Sequence, residues 1–144
     1  MEPGRSLVLD ANILIRAVLG QRVRSLLEAH ADEVTFFLPE TALADAEEHL
    51  AALVVKRRGD PSKALLTLKA MAALGTVVGM EVYSNFEVEA RNRLAARDAE
   101  DWPILAAALA LGSAIWTEDT DFFGCGVATW TSANMTFSFV SSVR

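Results

Sequence analysis

The sequence predicts an α/β fold, a three-layer α/β/α sandwich around a mostly parallel sheet, built as a single domain over residues 1–144. Three observations lead there. Short apolar runs of strand length alternate along the chain with amphipathic segments of helix length. One segment, Ile104 to Leu111, is apolar without interruption, so a helix there must be buried on several faces and pack on a sheet. Aspartates stand just past the strand-like runs, and in a parallel sheet the carboxyl ends of the strands converge on one crevice.

Ser6 to Leu9 reads as a buried first strand with Asp10 at its carboxyl end, and Asn12 to Leu19 turns helical before Gly20. A short helix from about Val23 to His30 precedes a second strand, Val34 to Leu38, closed by Pro39. Glu40 to Arg58 repeats apolar residues every three or four positions, at Leu43, Ala46, Leu50, Leu53 and Val54, as an amphipathic helix does. Asp45 falls at the edge of that stripe, and Glu48, three residues on, shares its side. Ser62 to Leu74 is a second amphipathic helix that packs back as a hairpin, with Lys56, Arg57, Arg58 and Lys63 gathered at the tip. Such a cluster is ordinarily a solvated turn; here it is also the only short basic patch able to meet a phosphate backbone.

Thr76 to Tyr83 is strand-like, weakened at Gly79 toward a bulge or an edge. Asn85 to Ala96 returns to helix, with Val88, Leu94 and Ala95 inward and Arg91, Arg93 and Arg97 outward. The central apolar helix is set by its punctuation: Asp101 suits the N-cap, Pro103 the first turn, and Gly112 the left-handed residue after the last turn. By itself, Asp101 could be no more than a cap. A strand from Ala114 to Thr117, an acidic turn from Glu118 to Asp121, a short strand from Val127 to Trp130 and an alternating edge strand from Thr131 onward complete the chain.

Composition narrows the function classes. Hydrophobic residues make up 52% and charged residues 22%, an ordinary globular balance. No apolar run approaches the roughly 18 residues of a membrane span, and no signal-peptide pattern opens the chain, so a cytoplasmic protein is expected. The single cysteine, Cys125, excludes an internal disulfide and a thiolate metal site, and reads as an apolar filler. A net charge of −6 argues against a broad basic surface that wraps nucleic acid. It leaves room for a nucleic-acid enzyme in which an acidic pocket holds a cation, and the cation meets the phosphate.

Asp10 and Asp119 follow strands and Asp101 opens a helix that leads into one, so three carboxylates distant in sequence have a topological reason to meet. Like charges at close range raise one another's pKa unless a cation lies between them. Hard oxygen ligands with retained water suit Mg2+ or Mn2+. Zinc is poorly served, since His30 and His49 lack ligand spacing and stand outside the acidic motifs; a Gly-rich phosphate loop and a nucleophilic serine elbow are both missing. In-line hydrolysis of a phosphodiester by water on a divalent ion is the chemistry that needs only these groups.

Four segments, taken in order, resemble a family. Leu7-Val8-Leu9-Asp10-Ala11-Asn12-Ile13-Leu14, Pro39-Glu40-Thr41-Ala42-Leu43-Ala44-Asp45, Asp101-Trp102-Pro103-Ile104-Leu105-Ala106-Ala107-Ala108-Leu109 and Ile115-Trp116-Thr117-Glu118-Asp119-Thr120-Asp121-Phe122 together look like a PIN domain. The resemblance covers most of the chain and implies a PIN-like α/β/α sandwich, a metal-dependent ribonuclease and, as in many bacterial members, a VapC-like toxin neutralised by an antitoxin protein. It implies that Asp10, Asp45, Asp101 and Asp119 form the catalytic acidic site. Asp10, Asp101 and Asp119 would hold the metal, with Asp121 as a further ligand. Asn12 and Thr117 would support the site, Thr117 matching the hydroxyl residue placed before the last acidic group. At the second acidic position the family more often carries glutamate; Asp45 has a shorter reach, and Glu48 or Glu40 are the alternatives. Lys56, Arg57 and Arg58 are the candidates for substrate binding.

The expected function is therefore an Mg2+- or Mn2+-dependent endoribonuclease acting on RNA, the toxin of a toxin–antitoxin pair. The alternative is a PIN-like module that binds RNA or protein with little or no turnover. An aspartyl-phosphate phosphotransferase using Asp10 is disfavoured, because Asn12 stands where that chemistry wants a second acid. The helical hairpin and the apolar tail Met135 to Val140 also predict a homodimer.

Overall fold

The structure is a computed structural model, and it describes residues 5–95, 98–119 and 122–133. Asp121, Arg97 and the apolar tail from Met135 lie outside these residues, and so do the roles expected of them. The element order is β1 (Arg5–Leu9), α1 (Ala11–Leu19), α2 (Arg22–His30), β2 (Val34–Pro39), α3 (Glu40–Lys56), α4 (Pro61–Ala72), β3 (Thr76–Val78), α5 (Met80–Tyr83), α6 (Glu87–Arg93), α7 (Trp102–Leu111), β4 (Ala114–Trp116) and β5 (Thr129–Trp130). Short 3-10 turns at Ser84–Phe86 and Ala99–Asp101 lead into α6 and α7.

Among the described residues the five strands are all parallel, in the order β3-β2-β1-β4-β5. The chain therefore starts in the middle of the sheet, builds outward through β2 to β3, and returns to lay β4 on the other side of β1. That reversal makes a topological switch point between β1 and β4, the place where such sheets open a crevice at their carboxyl ends. Side chains alternate across the sheet. Leu7, Leu9, Phe36, Leu38 and Trp116 join the core shared with α1, α2, α3 and α4, whereas Val8 and Ile115 join the core shared with α6 and α7. Phe36 and Trp116 pack ring on ring across 6.1 Å in the first of these.

The apolar helix α7 is as buried as its composition requires, with Trp102, Ile104, Leu105, Ala106, Ala107 and Ala108 inside. Its alanines let it lie close to the sheet. Gly112 ends it at φ 61°, ψ 38°, with its N–H donating to the Ala108 carbonyl, the left-handed closure expected of a glycine there. An added Cβ at Gly112 would meet no atom within 4 Å, so Gly112→Ala carries only the conformational cost. It should lower stability by about 1 kcal/mol, measured as a shift in the denaturation midpoint at constant slope.

Two expectations are corrected. The strand at Thr76 stops at Val78, as an edge strand, and Gly79 is no bulge but the extended residue that starts α5. The cause lies in Tyr83, which is fully buried, shares a hydrogen bond with the Thr41 hydroxyl (3.2 Å) and packs on Trp102. A helical turn carries it inward where a continued edge strand would not. The inward positions are Ala90 in α6 and Leu94 at its C-cap; Val88 is 72% exposed and Ala95 is exposed as well. The Glu87–Arg91 and Glu89–Arg93 ion pairs at i,i+4 lie along the helix. Arg91 caps the Trp102 ring at 5.5 Å and Arg93 donates to the Cys125 carbonyl, so neither arginine is simply outward. Cys125 itself is buried, as a filler should be. Among the described residues no helix is long and apolar enough to cross a membrane.

Candidate active site

The crevice at the switch point is a cavity of about 200 Å3. Asp10 reaches it from the end of β1, Asp119 from just past β4, Asp101 from the mouth of α7 and Asp45 from the second turn of α3. Asn12, in the first turn of α1, lines it too.

Asp10 is 7% exposed and held from two sides. It is the N-cap of α1: one carboxylate oxygen accepts from the Ile13 N–H at 3.0 Å. The other accepts from the Thr117 hydroxyl, which in turn accepts from the Asp119 N–H at 2.9 Å. Thr117 is fully buried, and the strand register, which sets Leu9 beside Trp116, brings it next to Asp10. One hydroxyl thus ties the end of β1 to the backbone of Asp119.

Asp101 stands at the N-cap position of α7, yet its side chain makes no capping hydrogen bond. Asp10, Asp60 and Asp98 all cap their helices with a carboxylate oxygen, so the omission at Asp101 is local. Its carboxyl lines the cleft with the other acids instead, close enough for Asp119, Asp98 and Asp10 to act on it. Burial first, then the charges of Asp98, Asp119 and Asp10, push its pKa up to about 7. Asp10 is also raised, by burial above all, with the Thr117 and Ile13 hydrogen bonds opposing and the charges of Asp119 and Glu118 assisting. Both shifts run upward, as they do for carboxyls that are crowded and partly shielded from water.

Among the described residues, all the cleft-lining polar side chains but one offer oxygen. The described carboxylates do not close into a three-ligand cage. A cation there would keep much of its water shell, which suits Mg2+ or Mn2+ better than a softer ion.

Other expected residues fall elsewhere. Glu48 is exposed and does not line the cleft; Glu40 instead accepts from the Met80 N–H at 3.2 Å, and Glu118 from the Ser132 N–H at 2.6 Å. Lys56 stands eleven positions beyond Asp45 on α3, about 16 Å along the helix, with Arg57 and Arg58 just past it. The cleft also holds two residues that the sequence did not single out. Glu100 lies at its rim, 3.7 Å from Arg91, and His49 lines it one helical turn after Asp45. His49 stands outside the acidic motifs in sequence, but i,i+4 spacing on α3 puts it on the same face as Asp45.

The model of the PIN domain matches residues 8–140, nearly the whole chain. The chain belongs to the PIN domain family. Solved structures agree on the fold of this PIN domain. A chain of VapBC2 from Rickettsia felis, in a structure bound to a DNA fragment from their promoter, superposes with a TM-score of 0.69 at 16% identity over 88% of this chain and 98% of that one. PAE2754 from Pyrobaculum aerophilum gives 0.68 at 15% identity, over 96% and 90%. FitAcB from Neisseria gonorrhoeae gives 0.65 at 20% identity, over 88% and 98%. No curated protein matches the chain. At these identities the PIN scaffold is shared while most side chains have changed, so the site of this PIN domain has to be argued from its own residues.

Proposed function

We propose that this PIN domain is an Mg2+- or Mn2+-dependent endoribonuclease, and that it acts as the toxin partner of an antitoxin protein. The observation that carries the nuclease reading is the freed carboxyl of Asp101: a residue at a helix N-cap that leaves the cap unmade and lines the cleft with the other acids is arranged for something other than helix stability. VapBC2 and the toxin–antitoxin complex from Klebsiella pneumoniae, which superposes with a TM-score of 0.60, support the toxin reading by likeness of fold. Self-association through the helical hairpin, which exposes Val55 and Leu66, belongs to the same proposal.

Asp10, Asp101 and Asp119 would hold the divalent ion together with the water it retains, and the ion would supply charge to offset the scissile phosphate and acidity to a water at neutral pH. The protein's own part is positioning and proton handling. Asp10 is rigid because both its oxygens are engaged, one by the Ile13 N–H and one by the Thr117 hydroxyl. Asp119 is fixed through its backbone by the same hydroxyl. Asp101, its pKa pushed up to about 7 by burial and the neighbouring acids, would give up its proton in holding the cation. Asp45, exposed on α3, would orient the attacking water from the cleft's other wall.

The test is cleavage of short, unpaired RNA. Activity should vanish in excess chelator and return on addition of Mg2+ or Mn2+. It should weaken only moderately with salt, since among the described residues no lysine or arginine lines the cleft to displace counterions. Full activity in chelator would refute the reading. RNA binding without turnover in either metal would favour the alternative, a PIN-like binding module.

A further inference from the structure

Among the described residues the cleft is lined by carboxylates, an amide, a hydroxyl and apolar groups, with His49 as the one side chain carrying a ring nitrogen. That ring is oriented by the helix it stands on. Nδ1 lies 2.9 Å from the backbone carbonyl of Asp45, and a carbonyl oxygen can only accept, so Nδ1 carries the hydrogen. In the neutral ring Nε2 is then a bare acceptor, on the side of the ring turned away from the Asp45 carbonyl. The side chain is exposed, and its neighbour at i,i−4, Asp45, lines the same cleft.

An acceptor in this place does not suit a phosphate oxygen, which also only accepts. It suits a hydroxyl. In RNA each scissile phosphate has a ribose 2′-hydroxyl on the adjoining carbon, able to donate, and the 2′-hydroxyl is the group by which a protein tells RNA from DNA. With the phosphate over the carboxylates, a ring one helical turn from Asp45 stands within a nucleotide's span of it. We propose that His49 contacts the substrate through Nε2, accepts a hydrogen bond from a ribose 2′-hydroxyl next to the scissile bond, and so selects RNA over DNA. This inference rests on the nuclease reading above.

Two substitutions separate the nitrogens. His49→Asn keeps a donor near Nδ1 and loses Nε2; His49→Gln reaches the Nε2 position with an amide oxygen. Wild type and both variants would be assayed with Mg2+ on a short unpaired oligoribonucleotide and on its series of single 2′-deoxy replacements. In wild type, kcat/KM should fall roughly ten-fold at one replaced position. His49→Asn should be slower by a similar factor on the all-ribose substrate and indifferent to that replacement, while His49→Gln should retain part of the discrimination. An undiminished response of His49→Asn to the 2′-deoxy series would overturn the assignment, and so would an equal loss on every substrate. Absence of RNA cleavage by wild type would count against the nuclease reading alone. The contact is then decided by fluorescence anisotropy with the same RNA and its all-2′-deoxy counterpart. A wild-type preference for RNA that disappears in His49→Asn supports it, and equal affinities or an unchanged preference overturn it.

Discussion

Asp10→Asn and Asp101→Asn should each lower divalent-dependent RNA cleavage by at least about 100-fold while leaving the protein folded. The two substitutions do this from different starting points. In Asp10→Asn the side-chain amide still offers an oxygen to the Ile13 N–H and an N–H to the Thr117 hydroxyl, so the cap on α1 and the tie to β4 can both survive. What is lost is the charge. Asp101 makes no cap bond to lose, and its replacement removes a group crowded by Asp119 and Asp98. Single-turnover cleavage, with circular dichroism as the check on folding, measures both. Retention of most of the activity in either variant would mean that the cleft does no chemistry through these acids.

The second large effect is on stability, and its sign follows from the raised acids. Without a divalent ion, Asp101 in the folded chain titrates at about 7 against an ordinary 3.8. Between those values the folded protein holds a proton that the unfolded chain has released, so stability must fall as pH rises. The stabilising contribution is complete below about pH 4 and is gone once pH passes about 7; Asp10, shifted in the same direction, adds to the trend. Because Asp101 is only half-buried, water screens part of the effect, and a decrease in Tm of roughly 3–5 °C between pH 5 and pH 7.5 is expected in chelator. Asp101→Asn should flatten that dependence and leave the metal-free protein more stable than wild type at pH 7.5. Mg2+ or Mn2+ should raise the wild-type Tm more at pH 7.5 than at pH 5, where protons compete for the same oxygens. A Tm that climbs from pH 5 to 7.5 in chelator, with no difference between wild type and Asp101→Asn, would contradict the proposed origin of the shift.

The fold was largely legible in the sequence because its punctuation is strong. Asp10, Pro39, Pro103 and Gly112 each mark an end that local chemistry enforces, and all four stand at element boundaries in the structure. Residues 76–94 were read less well for a definite reason. The run with Val77, Val78 and Val82 suits a strand, and its turn to helix after Val78 is set by long-range packing of Tyr83 on Trp102; which face of the next helix lies inward is set by burial of Ala90 and Leu94. Within the cleft, Asp10 and Asp119 were visible as strand-end carboxylates. The state of Asp101 was not, since an aspartate that caps a helix and one that declines to are the same letter. His49 was hidden for another reason: an exposed histidine on an amphipathic helix carries no pattern of its own. The i,i+4 spacing from Asp45 was the one available clue, and it has weight only once Asp45 is known to face the cleft.

The pairing of β1 with β4 also sets when the site can come into being. The Thr117 hydroxyl and the Asp10 carboxylate are 107 residues apart in sequence, and every intervening helix is made before β4 can dock. A chain growing on the ribosome therefore exposes Asp10 and Asp45 early but lacks Asp119, and the wall that fixes Asp10, until most of the domain has emerged. An unfinished chain cannot assemble the acidic cleft. For a protein proposed to cut RNA, whose own messenger and ribosome are the nearest RNA during synthesis, the central position of β1 delays reactivity until translation of the fold is nearly done.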